Sequence, residues 1–255
     1  MFNIGDYVTR NSYNNDVVFK IIDVQGDVYY LKGVNVRLYA DSFKDDLKLF
    51  DYDNTEDSFI PSIDEYRKLN RSEYFYLPGK ILHLDGDKEY LDSCLNFYKK
   101  NKLRAYGVFI KEEELANNIV SLLEKYTPDI VVITGHDAYY RKRKNGSKYK
   151  NTSNFVECVK VARTYENSHQ KLIIIAGACQ SDYEELINAG ANFASSPKRI
   201  NIHALDPAIV AGCMAFSDIN NNIDLLNILE KTKYGSAGMG GIITKGTMYT
   251  GYPRE

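Results

Sequence analysis

Two residues that can act together in nucleophilic chemistry each follow a short apolar run of this sequence. His136 comes after DIVVIT and a glycine, and Cys179 comes after LIIIA, Gly177 and Ala178. A cysteine attacks as its thiolate, and a neighbouring imidazole is a base that can remove the thiol proton. If both runs are strands of one parallel sheet, their carboxyl ends meet at one edge and the two side chains face one crevice. The sequence therefore predicts a dyad of Cys179 as nucleophile and His136 as general base.

Backbone N–H groups close to this pair are the candidates for holding a developing oxyanion. They belong to Cys179 itself and to the residues that flank the two reactive positions: Gly135, Asp137, Gly177 and Ala178. One such donor is typically worth about 2.7–4 kcal/mol in the transition state. The segment SDYEELINAG is predicted to form a helix after Cys179, whose first N–H groups would add to this field.

The other three cysteines are predicted to be packing residues. Cys94 and Cys158 lie on amphipathic helical stretches, and Cys213 lies in the apolar segment AIVAGCMAF. The wide cysteine spacing contains no CxxC pair, which argues against a zinc cluster and gives no sign of a disulfide framework. We therefore expect neither a metal nor an organic cofactor.

Composition sets bounds on the class of protein. The 255 residues are 44% hydrophobic and 26% charged, which is typical of a folded globular chain. A formal net charge of −2 gives no argument for nucleic acid or anionic lipid as a partner. The sequence begins MFNIGDYVTR without a basic and apolar leader, and no later run reaches the roughly 18 apolar residues of a membrane helix. These features predict a cytoplasmic protein with no membrane or nucleic-acid partner.

The pattern of apolar and polar residues changes twice along the chain. Residues 1–45 contain short β-like runs with turn signals, which predict a small SH3-like β-barrel domain. Residues 46–78 are polar and acidic and are predicted to be a linker with a short helix. Residues 79–255 alternate apolar strands with amphipathic helices, which predicts a mostly parallel sheet flanked by helices.

The order of histidine before cysteine separates two classes of thiol enzyme. In glutamine amidotransferases the nucleophilic cysteine lies on a tight strand-to-helix turn, and the histidine comes later in the chain. The runs VVITGHD and IIIAGAC, in this order, instead resemble the motifs of the caspase-like peptidases, which include caspases, legumains and gingipains. This resemblance implies a caspase-like α/β fold for residues 79–255.

A closer resemblance covers nearly the whole chain. The segments that carry it are GDYVTR, PGKILHLDGDKEYL, PDIVVITGHDAYY and LIIIAGACQSDYEELINAGANFASSPKRINIHALDP. They are similar to the YabG family of sporulation-specific peptidases. The resemblance implies a cysteine peptidase with His136 and Cys179 as its dyad. It also implies protein substrates from the spore coat and cortex machinery, cut in the sporulating cell in association with the forming spore.

Two positions depart from the wider caspase-like pattern. Asp137 follows the histidine where most caspase-like peptidases carry glycine, so the second oxyanion donor is left open. Gly177 stands two residues before the cysteine, where many have an acidic or amide side chain. Part of the substrate pocket is therefore expected to differ.

Cleavage after Arg or Lys is the predicted preference, because a basic residue needs a buried carboxylate in its pocket. Asp85 and Asp87 in HLDGD and Asp206 in HALDP are the candidates. A turn at Asp85 and Asp87 and a helix cap at Asp206 are equally good interpretations. Ser195 and Ser196 are expected to form an edge that pairs with the extended substrate.

Alternatives from other classes stay open. The chain could be a non-catalytic coat-assembly binding module, in which the barrel binds other proteins and the α/β region is scaffold, or a thiol amidase acting on small amides.

The basic run RKRKNGSKYK at 141–150 is most simply a solvated loop, and a sharper hypothesis makes it a self-processing site.

Overall fold

An antiparallel sheet forms the amino-terminal part of the protein. The computed structural model describes residues 2–52, 59–138 and 149–253. The five strands are β1 Tyr7–Arg10, β2 Phe19–Gln25, β3 Val28–Gly33, β4 Tyr39–Phe43 and β5 Leu47–Leu49. Their order in the sheet is β4-β3-β2-β1-β5. Because β5 pairs with β1, this sheet extends past residue 45, where the linker was predicted to begin.

A larger sheet of mostly parallel strands forms the rest of the core. Its strands are β7 Ile81–Asp85, β8 Ala105–Phe109, β9 Ile130–Thr134, β10 Ile173–Ala176, β11 Phe193–Ser195 and β12 Met239–Gly241. They lie in the order β12-β11-β10-β9-β7-β8, and β12 alone runs antiparallel to its neighbour. The prediction of a mostly parallel sheet flanked by helices is confirmed.

A small two-stranded ribbon joins the region before this sheet to the carboxyl end. Strand β6, Phe75–Leu77, pairs antiparallel with β13, Tyr249–Gly251. The short helix predicted within 46–78 is a single 3-10 turn at Asp64–Arg67. Residues 53–58 of this segment lie outside the described residues.

Six α-helices accompany the large sheet. They are α1 Lys88–Lys100, α2 Leu115–Tyr126, α3 Thr152–Tyr165, α4 Tyr183–Asn188, α5 Asp206–Phe216 and α6 Leu225–Glu230. Helix α3 shows why these segments are helical, because Phe155, Cys158, Val159 and Ala162 recur at helical spacing and are all buried. The three cysteines predicted to be packing residues are buried, on α1, α3 and α5.

Both faces of the large sheet are covered, which explains the continuous apolar runs in its strands. Along β9, Ile130 and Val132 join the core that contains α1 and α5, whereas Val131 and Ile133 join the core that contains α2 and α3. Successive strand residues point to opposite faces, so a strand covered on both sides must be apolar throughout. The predicted central strand at 172–176 is β10, which is buried along its length.

The strand order reverses between β7 and β9, and this is where a parallel sheet opens a crevice at its carboxyl edge. The loop of residues 34–38, which joins β3 to β4 and which we call the crossing loop, lies over this edge. Val36 in the loop bridges to His203, and Leu38 bridges to Asp137. The amino-terminal sheet and the α1/α5 face share one hydrophobic core. The crevice is therefore covered by the chain's own amino-terminal part.

Candidate active site

The two predicted reactive residues follow neighbouring strands. Strand β10 pairs in parallel with β9, with Ala176 opposite Ile133. His136 and Cys179 come directly after these strand ends, at the same edge of the sheet. The two strands are therefore neighbours, but among the described residues no hydrogen bond joins the imidazole to the thiol, and the dyad stays a prediction.

Cys179 is completely buried. Its Sγ lies 3.2 Å from the backbone nitrogen of Ile202, which donates to it, and 3.5 Å from the carbonyl oxygen of the same residue. Burial raises the pKa of the Cys179 thiol to about 12, against the opposing effect of the Ile202 N–H. In this closed arrangement the thiol is protonated at neutral pH.

The imidazole of His136 is also completely buried. Among the residues that the structure describes, neither of its ring nitrogens has a hydrogen-bond partner. Nε2 lies 3.6 Å from Oδ2 of Asp87, and the ring stacks on Tyr39 with 4.1 Å between centroids. Burial lowers the pKa of His136 to about 3, and Asp87 opposes this shift. His136 is therefore a neutral base whose ring nitrogens make no hydrogen bond to the described residues, which is unusual for a purely structural histidine.

The buried imidazole predicts acid sensitivity. The pKa of His136 is 6.5 in the unfolded chain and about 3 in the folded protein. Between these pH values the unfolded state therefore binds more protons than the folded state does. Stability is thus present above pH 6.5 and lost as pH falls toward 3. We expect His136 to make the parent about 2 kcal/mol less stable at pH 5 than at pH 7. Urea unfolding of the parent and of His136→Gln at both pH values measures this, and equal losses in the two proteins would contradict it.

Glu112 fixes the backbone just before the histidine, and sequence reasoning missed it. The N–H of His136 donates to Oε1 of Glu112 at 2.9 Å. A Cβ built on Gly135 would lie 2.4 Å from the same oxygen, so a larger residue there would displace the Glu112 carboxylate from the His136 N–H. Burial raises the pKa of Glu112, and the His136 N–H opposes that rise. Glu112 stands in the run EEE at 112–114, which gave no sign of a buried role.

Asp137 acts through its side chain rather than only through its backbone. Its carboxylate accepts hydrogen bonds from the N–H groups of Ala138 and Asn151, both at 2.8 Å, and from the hydroxyls of Thr152 at 2.5 Å and Ser181 at 2.9 Å. Burial raises the pKa of Asp137, and these donors oppose that rise. Because Ser181 follows Cys179 by two positions, this carboxylate ties the loop after β9 to the loop after β10.

The backbone N–H groups before the thiol have partners within the protein. The N–H of Gly177 donates to Ile133 O at 3.0 Å, and the N–H of Ala178 donates to Ser181 Oγ at 3.0 Å. In this arrangement neither is free to hold an oxyanion, and that role for them stays a prediction. Gly177 is required for another reason: its φ is +104°, and a Cβ there would lie 2.3 Å from Ser195 Oγ. Helix α4 begins only at Tyr183, so its amino end does not start at the sulfur.

Asp85, one of the predicted pocket residues, is paired with a buried guanidinium. Its Oδ2 lies 2.8 Å from Nη1 of Arg37, and both side chains are completely buried. Burial alone would raise the pKa of Asp85, but the guanidinium and His83 hold it well below its usual range. Asp85 is therefore a charged carboxylate at the floor of the crevice.

The other two predicted pocket carboxylates have local partners. Asp87 accepts from Glu89 N and Tyr90 N as the N-cap of α1, and its Oδ2 lies 2.5 Å from Lys32 Nζ. The same Oδ2 lies 3.6 Å from His136 Nε2. Asp87 is thus a helix cap as well as part of the turn that was the alternative interpretation.

Asp206, the third of them, begins α5 and is completely buried. It accepts from His203 N and Lys233 N, both at 2.9 Å. Burial raises its pKa to about 6 against these donors. Its hydrogen bonds join the start of α5 to the segment after α6, which is a structural role.

Ser195 and Ser196 do not form an open edge. Both are completely buried, and β12 pairs with β11 with Met239 opposite Ser195. The N–H of Ser196 donates to Gly238 O at 2.7 Å. The glycine-rich segment near the carboxyl end supplies this extra strand, so a substrate could pair with this edge only if β12 left it.

Two findings bear on other classes of site. Within residues 2–52, 59–138 and 149–253, no group of three or more His, Cys, Asp or Glu side chains is arranged to hold a metal ion. Across the same residues no helix is long and apolar enough to cross a membrane.

The self-processing hypothesis concerns 141–150, of which 141–148 lie outside the described residues.

Comparison with known proteins gives one strong relationship and one weak one. A GDP-L-fucose synthetase from Naegleria fowleri aligns with 43% of this chain and 39% of its own at 16% identity, and its TM-score of 0.26 does not indicate a shared fold. In contrast, the sporulation-specific protease YabG of Bacillus subtilis (strain 168) is 41% identical over 285 residues, covering 99% of this chain and 98% of that protein. The family described as YabG peptidase U57 matches residues 3–253. This chain therefore belongs to the YabG peptidase U57 family and is a peptidase.

Proposed function

We propose that this peptidase is a cysteine endopeptidase in which Cys179 attacks the substrate and His136 moves the proton. The observation that carries the proposal is the pairing of β9 with β10, which delivers the imidazole and the thiol to one edge of the sheet. A neutral histidine without hydrogen-bond partners is free to accept the thiol proton.

The reaction follows from the two side chains. Nε2 or Nδ1 of His136 takes the proton from Cys179 Sγ, and the thiolate adds to the carbonyl carbon of the scissile bond. The imidazolium then protonates the leaving amine, which leaves a thioester on Cys179. Water, activated by the same imidazole, attacks the thioester and releases the new carboxyl group. No atom changes oxidation state in these reaction steps.

The oxyanion needs donors from the remaining backbone. The N–H of His136 donates to Glu112, that of Gly177 donates to Ile133 O in β9, and that of Ala178 donates to Ser181 Oγ. We propose the N–H of Cys179 together with that of Gly135 or Asp137 for this role.

We further propose that the substrate residue before the scissile bond is Arg or Lys. Asp85 supports this, because the crevice floor already holds a guanidinium at 2.8 Å from its carboxylate. The strand order, with the dyad at the carboxyl edge, is what a caspase-like arrangement would require, and we propose that arrangement for residues 79–255 and an SH3-like barrel for residues 1–45.

The biological setting is proposed from the relative. The Bacillus subtilis protein is named a sporulation-specific protease, and this chain is 41% identical to it along nearly its whole length. We propose that this peptidase works in the cytoplasm of the sporulating cell, in association with the forming spore. Its substrates would be proteins of the spore coat and cortex machinery.

A panel of fluorogenic peptides tests this function. We expect hydrolysis after Arg or Lys to exceed hydrolysis after Asp or Asn by at least about a hundredfold in kcat/KM, because an uncharged or acidic residue leaves a buried carboxylate unpaired. Release of ammonia from glutamine without peptide cleavage would favour the small-amide amidase. Normal coat processing in cells whose only copy carries Cys179→Ala would favour the binding module.

A further inference from the structure

The crossing loop lies over the reactive edge in the manner of a bound peptide. Val36 forms an antiparallel bridge with His203, and Leu38 forms a parallel bridge with Asp137. An extended segment with backbone pairing on both sides is a common way to recognise a peptide chain. The loop therefore occupies the place where a substrate backbone would run beside the dyad.

Arg37, between these two bridged residues, fills a site built for a guanidinium. Its side chain is completely buried, with Nη1 at 2.8 Å from Asp85 Oδ2 and Nη2 at 2.9 Å from Ala204 O. The guanidinium carbon also lies 5.0 Å from the ring centroid of Tyr90. A carboxylate, a carbonyl and an aromatic face together are the features that select arginine over other side chains.

The crossing loop and the first residue of β4 together cover Cys179 and His136. The backbone N–H of Arg37, like that of Ile202, acts on the Cys179 sulfur and opposes the rise of its pKa, which places this residue against the thiol. Tyr39, at the start of β4, stacks on the His136 ring. Water and substrate are thus excluded from the thiol and the imidazole while the loop is in place.

Tyr90 holds the loop closed. Its hydroxyl lies within hydrogen-bond distance of the carbonyl oxygens of Gly33, Val34 and Val36, at 3.2 Å for Val34 and 3.0 Å for Val36. These contacts join α1 of the large sheet to the loop of the amino-terminal sheet. Replacing Tyr90 with phenylalanine would remove these hydrogen bonds and keep the ring.

We propose that the crossing loop is a built-in inhibitor, in which Arg37 occupies the Asp85 pocket in place of the substrate's basic residue. This inference rests on the proposed function and adds its regulation: the peptidase is latent until the loop leaves the crevice. The amino-terminal sheet is then a regulatory part rather than only a binding accessory. If the open form is a minor population, turnover is reduced by the same fraction.

Two variants test the inference with two readouts. Tyr90→Phe removes only the hydroxyl that holds the loop, and Arg37→Ala empties the pocket. For each variant we expect the rate at which iodoacetamide alkylates Cys179 to rise at least about tenfold. Peptide mass mapping measures this rate. We expect a similar increase in kcat/KM on an Arg fluorogenic peptide. Lys48→Ala is the matched control, because it removes an exposed basic residue from β5 of the same sheet.

The outcomes separate the inference from the proposed function. Unchanged alkylation of Cys179 in folded Tyr90→Phe overturns the inference, even if Arg37→Ala does not fold. Faster alkylation with faster cleavage supports both the inference and the dyad. Faster alkylation without any peptide cleavage upholds the loop as a cover of the thiol and counts against the proposed mechanism.

Discussion

Replacing Cys179 with alanine is expected to abolish peptide hydrolysis, and replacing His136 with alanine to reduce kcat by roughly a thousandfold or more. In the proposed mechanism the sulfur forms the covalent intermediate, so no other group can substitute for it. The imidazole would transfer the proton in both halves of that reaction, so its loss would slow acylation and deacylation together. Steady-state kinetics on an Arg fluorogenic peptide, with circular dichroism to confirm folding, measure both effects.

Cys158→Ala is the matched control for the cysteine variant. Cys158 is completely buried on α3, in the core on the opposite face of the sheet from the residues around Cys179. We expect this variant to keep its kcat/KM while losing some stability, because a buried thiol contributes packing alone there. Equal loss of activity in Cys158→Ala and Cys179→Ala would show that burial, not chemistry, explains the effect.

Replacing Asp85 with asparagine is expected to cost about 3–5 kcal/mol in the free energy of unfolding. The change leaves Arg37 as a buried charge without its carboxylate, and burial of a lone charge is far more costly than burial of a pair. The second expected result is a loss of the preference for Arg over a neutral residue by at least about a hundredfold in kcat/KM. Chemical denaturation and the peptide panel measure the two effects.

A double variant keeps this prediction testable if the single variant unfolds. Arg37→Met with Asp85→Asn removes both charges, and replacement of a buried ion pair by neutral groups is often nearly neutral for stability. We expect it to fold, and to cleave without a preference for basic residues. A double variant that still prefers Arg would assign the pocket to another carboxylate, such as Asp87.

The sequence predicts the large sheet well because its signals are local. Continuous apolar runs such as those of β9 and β10 are typical of strands covered on both faces, and the residues after them must lie at one edge. This reasoning locates His136 and Cys179 without knowledge of the strand order. It also places Asp85 at the same edge, because Asp85 is the last residue of β7.

The contacts that cross between distant parts of the chain were not predictable in the same way. Arg37 lies in VNVRLYADS, one of the short β-like runs, and nothing in that run shows that its side chain is buried against Asp85. The pairing of Ser195 with β12 depends on a strand formed 44 residues later, at Met239, in a glycine-rich segment with weak strand signals. Both contacts depend on tertiary packing, which local spacing does not encode.

The side-chain roles at the site show the same limit. Glu112 and Ser181 support the dyad loops through bonds to His136, Asp137 and Ala178. Each is a common polar residue in a stretch that favours a helix start or a turn. Their roles follow from which loops meet in the fold, so the sequence suggests the candidate pair but not the groups that orient it.

Covalent labelling tests the central claim most directly. The measurement is intact-mass and peptide mapping after incubation with an arginine-directed acyloxymethyl ketone, which alkylates only a thiol that can attack at the scissile position. The account predicts one adduct on Cys179, absent in Cys179→Ala and formed much more slowly in His136→Ala. An adduct on Cys94, Cys158 or Cys213, or peptide cleavage that persists in Cys179→Ala, would contradict it.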